Sequence, residues 1–154
     1  MPPRDPISPL DAHLGYWLRY VSNQVSHAFA QKLAARDVTV AEWVFLRELY
    51  DQESAVAPSV LAERLGMTRG AISKLAERLL GKSLISREAG SEDRRFQALA
   101  LTAAGREMVP ALAALADLND DEFFGHLAPS AKEAIKAAMK EIVRRQGLRA
   151  VPID

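Results

Sequence analysis

Apolar residues recur at helical spacing along most of the chain. Leu10, Leu14, Trp17, Val21, Val25 and Ala28 follow one another at steps of three and four, the spacing of a helix with one buried stripe. Ser8-Pro9-Leu10-Asp11 reads as its start, with a capping serine, a proline at the first helical position and an acid in the first turn. The pattern predicts one long helix to about Ala35. Thr39-Val40-Ala41-Glu42 has the form of a capping box, and Trp43, Leu46, Leu49 and Tyr50 share the face that follows. Pro58 suits the first turn of a short third helix carrying Leu61 and Leu65, and Gly66 suits its end. Thr68 caps a fourth helix, which buries Ile72, Leu75 and Leu79.

The period then changes. Leu84-Ile85-Ser86-Arg87 and Phe96-Gln97-Ala98-Leu99-Ala100-Leu101 read as short strands around the polar stretch Glu88 to Arg95, which contains Gly90. That is a β-hairpin with a charged tip. Thr102 caps a fifth helix through Met108, Leu112 and Leu115, and Pro110 should kink or locally break it. Beyond the acidic stretch Asp117 to Glu122 and Pro129, Ile135, Met139, Ile142 and Val143 mark a last helix ending before Gly147. The fold class is mainly α with a small β-hairpin wing. Helices three and four, joined by the tight turn at Gly66-Met67, form a helix-turn-helix unit. Residues 38–102 are expected to be the winged helix-turn-helix, and residues 1–37 and 103–154 a helical dimerisation module. The first and last helices carry apolar seams (Leu10, Leu14, Trp17; Ile135, Met139, Ile142) that a monomer would leave wet.

Composition narrows the field. The 154 residues suffice for a core without staples, and the absence of cysteine removes disulfides, thiolate metal sites and thiol redox sensing. No apolar run approaches the roughly 20 residues that cross a bilayer, and MPPRDPISP lacks the apolar stretch of a secretory signal. A soluble cytoplasmic protein without a membrane partner is expected. The net charge is zero, which alone argues against nucleic acid, but the charges are unevenly spread. Residues 58–95 hold Arg64, Arg69, Lys74, Arg78, Lys82, Arg87, Arg94 and Arg95 against Glu63, Glu77, Glu88, Glu92 and Asp93. Residues 107–127 hold five acids and no base. The local basic excess falls on the helix-turn-helix and hairpin, where a DNA reader needs it.

The fourth helix has the two faces such a reader requires. Arg69, Gly70, Ser73, Lys74 and Glu77 lie opposite Ile72, Leu75 and Leu79, so one side can anchor in a core while the other offers donors to bases and phosphates. Gly70 would let DNA approach the backbone. Glu77 is the awkward member, and pairing with Arg78 or Lys74 is the expected remedy. An ordinary amphipathic surface helix would show the same split. The hairpin tip weighs against that, because Arg94 and Arg95 on a protruding ribbon could reach a narrow, negative minor groove. Asp93 and Arg95 are two apart and share a face of an extended strand, so the aspartate can brace the arginine by a charge-assisted bond.

Thr68-Arg69-Gly70-Ala71-Ile72-Ser73-Lys74-Leu75, Leu84-Ile85-Ser86-Arg87, Asp93-Arg94-Arg95 and Leu101-Thr102-Ala103-Ala104-Gly105, in that order, resemble the MarR family of transcription regulators. The resemblance extends over almost the whole chain. It implies a homodimer on a pseudo-palindromic double-stranded DNA operator, with helix four in the major groove and the wing in the minor groove. Carried over, Arg95 is the minor-groove arginine, Asp93 its brace and Arg94 a phosphate contact. Thr68, Arg69, Ser73 and Lys74 contact bases and backbone, with Gly70 and Arg78 counted in the same set and Ser59 a weaker phosphate candidate.

The resemblance also implies a small-molecule effector, often aromatic or anionic, held between the dimer module and the reading head. The matching region holds His13, Tyr16, Trp17, Tyr20, Trp43 and Arg47. An arginine beside aromatic walls suits an aromatic carboxylate, although each of these residues equally suits packing or the dimer seam. His13, His27 and His126 lack the spacing of metal ligands, and no cofactor is expected. A winged-helix module that docks protein is the competing class, but it has no need of an Asp-x-Arg tip. An enzyme fits least, since no nucleophile–base set, metal cluster or phosphate-cradling loop is present in the sequence.

Overall fold

A computed structural model describes residues 6–89 and 97–153. In chain order the elements are a 3-10 turn at Leu10–Ala12, α1 (Leu14–Ala34), α2 (Val40–Tyr50), α3 (Pro58–Leu65), α4 (Arg69–Gly81), β1 (Ile85–Ala89), β2 (Gln97–Leu101), α5 (Ala103–Phe124) and α6 (Pro129–Gln146). The architecture is mainly α with one two-stranded antiparallel hairpin, as the sequence pattern implies.

The caps predicted at Thr39, Thr68, Thr102 and Gly66 are formed. Thr39 Oγ1 accepts the Glu42 N–H at 3.1 Å while the Glu42 carboxylate accepts the Thr39 N–H at 3.3 Å. Thr68 Oγ1 accepts from Ala71 N and Thr102 Oγ1 from Gly105 N, each at 3.1 Å. Each satisfies an N–H that the first turn of a helix leaves without an intrahelical partner. Gly66 ends α3 in the left-handed region at φ 62°, which glycine adopts without penalty.

Three expectations change. The first helix does not run from Ser8: the chain is extended at His13 (φ −86°, ψ 127°), and α1 begins at Leu14. There the Trp17 indole N–H donates to the Asp11 carbonyl at 2.7 Å, holding the 3-10 turn across the start of α1. Pro110 does not interrupt α5, which continues for 22 residues. Val109 and Leu112 beside it are buried in the core, and that packing sustains the helix despite the missing N–H. The acidic stretch Asp117 to Glu122 consequently belongs to α5, where Lys32 of α1 bonds Asn119 and Glu122 at 3.0 and 2.7 Å.

One core joins these elements. Leu33 from α1, Phe45 and Leu46 from α2, Leu61 from α3, Ile72 from α4 and Leu112 from α5 have no exposed surface. In the hairpin, Ile85 pairs with Leu101 and Ala89 with Gln97. A third extended segment joins it at Val56, which exchanges two 2.8 Å backbone bonds with Leu99. The wing therefore grows from the α2–α3 connection as well as from α4. At its base Thr102 donates its hydroxyl to the Ser83 carbonyl at 2.7 Å and its N–H to the Leu84 carbonyl at 3.0 Å. Gly105 fits close beneath, since a Cβ there would lie 2.1 Å from the Leu84 oxygen. That contact gives the Leu-Thr-x-x-Gly segment its physical meaning.

Candidate nucleic-acid interface

The fourth helix divides as a recognition helix must. Ile72, Leu75, Ala76 and Leu79 are buried, whereas Thr68, Arg69, Gly70, Ser73 and Lys74 are all exposed. These five occupy its first two turns, beside the exposed Ser59 at the start of α3. Among the described residues neither Arg69 nor Lys74 has a carboxylate partner. A Cβ at Gly70 would meet nothing within 4 Å, so packing does not account for this glycine. The tip residues Asp93, Arg94 and Arg95 lie outside the described residues.

Glu77 pairs with Arg87 of β1, not with Arg78 or Lys74. The sequence could not place β1 alongside this turn of α4. Arg78, grouped by sequence with the DNA contacts, is also differently employed. Its Nη2 donates to Glu42 Oε1 and Thr39 Oγ1, both at 3.1 Å. Lys82 Nζ meets the other Glu42 oxygen at 2.8 Å and donates to the Asp37 carbonyl at 2.5 Å. Glu42 is only 1% exposed. Burial, the strongest single influence, raises its pKa, but the close Lys82 ammonium and hydrogen bonds from Arg78 and Thr39 outweigh burial and hold it below the usual value. Sequence reasoning read Glu42 as half of a capping box and missed this second task. The only available signal was Arg78 and Lys82 one turn apart on a helix.

The residues expected to hold an effector are not gathered in one place. Tyr16 packs edge-on against Trp17 and obliquely against Tyr20 on the first turns of α1. His13 Nδ1 lies 3.2 Å from the Leu10 carbonyl. Arg47 pairs with Asp51 at 2.7 Å and lies 5.8 Å from the Tyr50 ring centre. Only Trp43 lines the cavity between α1, α2 and α5, a space of about 360 Å³. Val25 and Phe29 of α1, Val44 of α2, Asn119 of α5 and Val151 near the chain end share that lining. Val151 reaches it because the segment after α6 folds back, its N–H bonding the Leu65 carbonyl at 3.1 Å.

A capped helix with an exposed polar face, set against a second short helix and flanked by a hairpin, defines a winged helix-turn-helix DNA-binding protein. Comparison with known proteins carries this further. Residues 36–95 match the model of the MarR family. The chain is 24% identical over 142 residues to the HTH-type transcriptional regulator PrsX of Escherichia coli, covering 91% of this chain and 86% of that protein. It superposes on Staphylococcus aureus MepR in its DNA complex with a TM-score of 0.76 at 25% identity, over 86% of this chain and 98% of that one. Bordetella bronchiseptica BpsR, whose DNA binding is regulated by 6-hydroxynicotinic acid, shares the fold with a TM-score of 0.75 at 23% identity, over 89% and 97%. Over residues 36–95 the chain is similar to the MarR family, and over most of its length it resembles transcription regulators of the winged helix-turn-helix fold.

Proposed function

We propose that this chain is a MarR-type transcription regulator, which acts as a homodimer on a pseudo-palindromic DNA operator and is released from it by a small aromatic molecule. The observation that carries the DNA reading is the face of α4. Thr68, Arg69, Gly70, Ser73 and Lys74 are presented together, opposite a fully packed apolar side. In this reading α4 enters the major groove, Ser59 touches phosphate, and Arg95 braced by Asp93 enters the minor groove beside a phosphate contact from Arg94. Arg78 keeps to the Glu42 pair.

The homodimer rests on α6. None of its residues is buried, yet Ile135, Met139, Ile142 and Val143 form an apolar stripe along it. Leu10, Leu14, Trp17 and Leu18 are likewise exposed by half or more. A second copy covering both stripes removes this apolar surface from water. Residues 1–37 and 103–154 are then the assembly module and residues 38–102 the reading head.

For the effector, the cavity beside Trp43 is the supported site. Val25, Phe29, Val44 and Val151 offer an apolar enclosure and Asn119 a polar group, the composition of a small-molecule pocket. Asp120 also lines it and no basic side chain does, which favours an aromatic ligand over an anionic one.

Enrichment of a random duplex pool on the purified full chain, followed by affinity measurement against salt, tests the DNA reading. A recurrent inverted repeat with a steep negative salt slope is expected. No enrichment, or binding indifferent to salt, defeats it in favour of a protein-docking module. Light scattering at micromolar concentration tests the dimer, and a monomer mass defeats it.

A further inference from the structure

The strongest unassigned arrangement in the molecule is the buried carboxylate of Glu42. It joins three places in the chain. Thr39 and Asp37 belong to the turn that ends α1 and begins α2, Glu42 sits on the first turn of α2, Arg78 sits on the last turn of α4 and Lys82 is the residue that caps its end. The polar atoms converge within 2.5 to 3.3 Å. Asp37 itself is left-handed at φ 58°, which places its carbonyl for Lys82.

Apolar packing alone leaves a helix some freedom to roll and slide, because dispersion contacts are individually weak and without fixed direction. The Glu42 carboxylate accepts directed hydrogen bonds from Arg78 and the Thr39 N–H and has Lys82 Nζ 2.8 Å from its other oxygen, and shifting it strands charge away from water. The buried side of α4 contributes Ile72, Leu75 and Leu79, all apolar. The Glu42 cluster therefore supplies a buried directional constraint on the roll and height of this helix, beside the exposed Glu77–Arg87 pair. It acts at the opposite end of α4 from Thr68, Arg69 and Ser73.

We infer that Glu42, through Arg78 and Lys82, is a positioning residue for operator recognition, fixing how the exposed face of α4 meets the base edges without touching DNA. This rests on the DNA-binding reading above. It also distinguishes Arg78 from a phosphate contact, which the same exposed guanidinium would otherwise suggest.

Salt dependence separates the two roles. A phosphate contact releases counterions, so its loss flattens the slope of log affinity against log salt by about 0.9 per contact. A positioning group loses affinity and leaves the slope unchanged. The experiment compares Glu42→Gln, Arg78→Gln and Lys74→Gln with the wild-type full chain. Two duplexes serve as probes, one selected from a random pool by the wild type and one of random sequence and equal length. Each variant is measured below its own unfolding temperature, so loss of fold does not enter.

Glu42→Gln and Arg78→Gln are expected to weaken the selected duplex by about tenfold or more, the scale of a lost base contact. The random duplex changes little and both slopes stay at the wild-type value, whereas Lys74→Gln flattens the slope. If Arg78→Gln flattens the slope as Lys74→Gln does, Arg78 is a phosphate contact and the inference is overturned. If both variants keep the wild-type preference for the selected duplex, the cluster is packing only and the inference is equally overturned. Arg78 is half exposed, so its variant keeps the test decisive where Glu42→Gln does not fold. A wild type that selects no duplex defeats the DNA reading itself, and that result is visible in the control alone.

Discussion

The guanidinium of Arg87 on β1 donates to the carboxylate of Glu77 on α4, so the recognition helix and the wing are tied by an ion pair on the protein surface. Both side chains are well exposed, and such pairs contribute only about 0–1 kcal/mol. Glu77→Gln should therefore leave the urea midpoint almost unchanged. It removes a negative charge from the helix face offered to DNA and frees Arg87, so duplex affinity should rise severalfold at low salt and converge on wild type at high salt. Fluorescence anisotropy over a salt series reads this. Weaker binding by the variant would mean that the pair aims the wing.

Two glycines should respond oppositely to the same methyl group. Gly70 has open space around it, and alanine in a helix is favoured over glycine by roughly 0.5–1 kcal/mol. Gly70→Ala should thus stabilise the protein and, in the proposed docking of α4, weaken the DNA complex by setting a methyl between backbone and duplex. At Gly105 a Cβ meets the Leu84 carbonyl at 2.1 Å, and Gly105→Ala should cost roughly 1–3 kcal/mol as overpacking. Chemical denaturation ranks the two. A Gly70→Ala variant that binds DNA normally would show that DNA stays clear of that position.

Acid should reveal the Glu42 cluster. Its carboxyl is held below the ordinary 4.5. The stabilisation it contributes is therefore complete above that value and is lost as pH falls through the lowered one. The stability gap between wild type and Glu42→Gln should be constant from pH 7 to about pH 5 and narrow below pH 4.5. Denaturant titrations at successive pH values measure the gap. A gap that widens in acid would contradict the cluster.

Arg95 remains the residue that the sequence motif marks for the minor groove. Arg95→Ala should lower operator affinity and reduce the salt slope by about 0.9 for each protomer on the DNA. An unchanged slope would remove the arginine from the interface.

Much of this fold was legible because its punctuation is local. Thr39, Thr68 and Thr102 bond N–H groups three residues on, and Gly66 needs only its own φ. Such signals are complete within a few residues. What the sequence concealed depends on partners far along the chain. Glu42 finds Arg78 36 residues away, Val56 finds Leu99 through the sheet, and Glu77 finds Arg87 across the helix–wing corner. Pro110 and His13 mislead for the converse reason. A helix with Val109 and Leu112 buried continues past a proline, and a good start signal at Ser8 yields to side-chain bonds around His13 and Trp17. Tyr16, Trp17 and Tyr20 sit on the first turns of α1, away from the cavity that Trp43 lines, and residue type says nothing of direction. Of those six candidates, only Trp43 lines the cavity.

The end of the chain is fastened to the helix-turn-helix. Val151 bonds the Leu65 carbonyl, and Ala150 lies so close to Gly66 that a Cβ there would stand 2.6 Å from its Cα. The path from α4 through the wing, α5, α6 and back to this turn is therefore a closed ring, braced by one main-chain bond. In a homodimer seated on α6, a brace of this kind turns the seating of two helices into the separation of two recognition helices. The spacing of the operator half-sites is then a dimension written partly into the last residues of the chain.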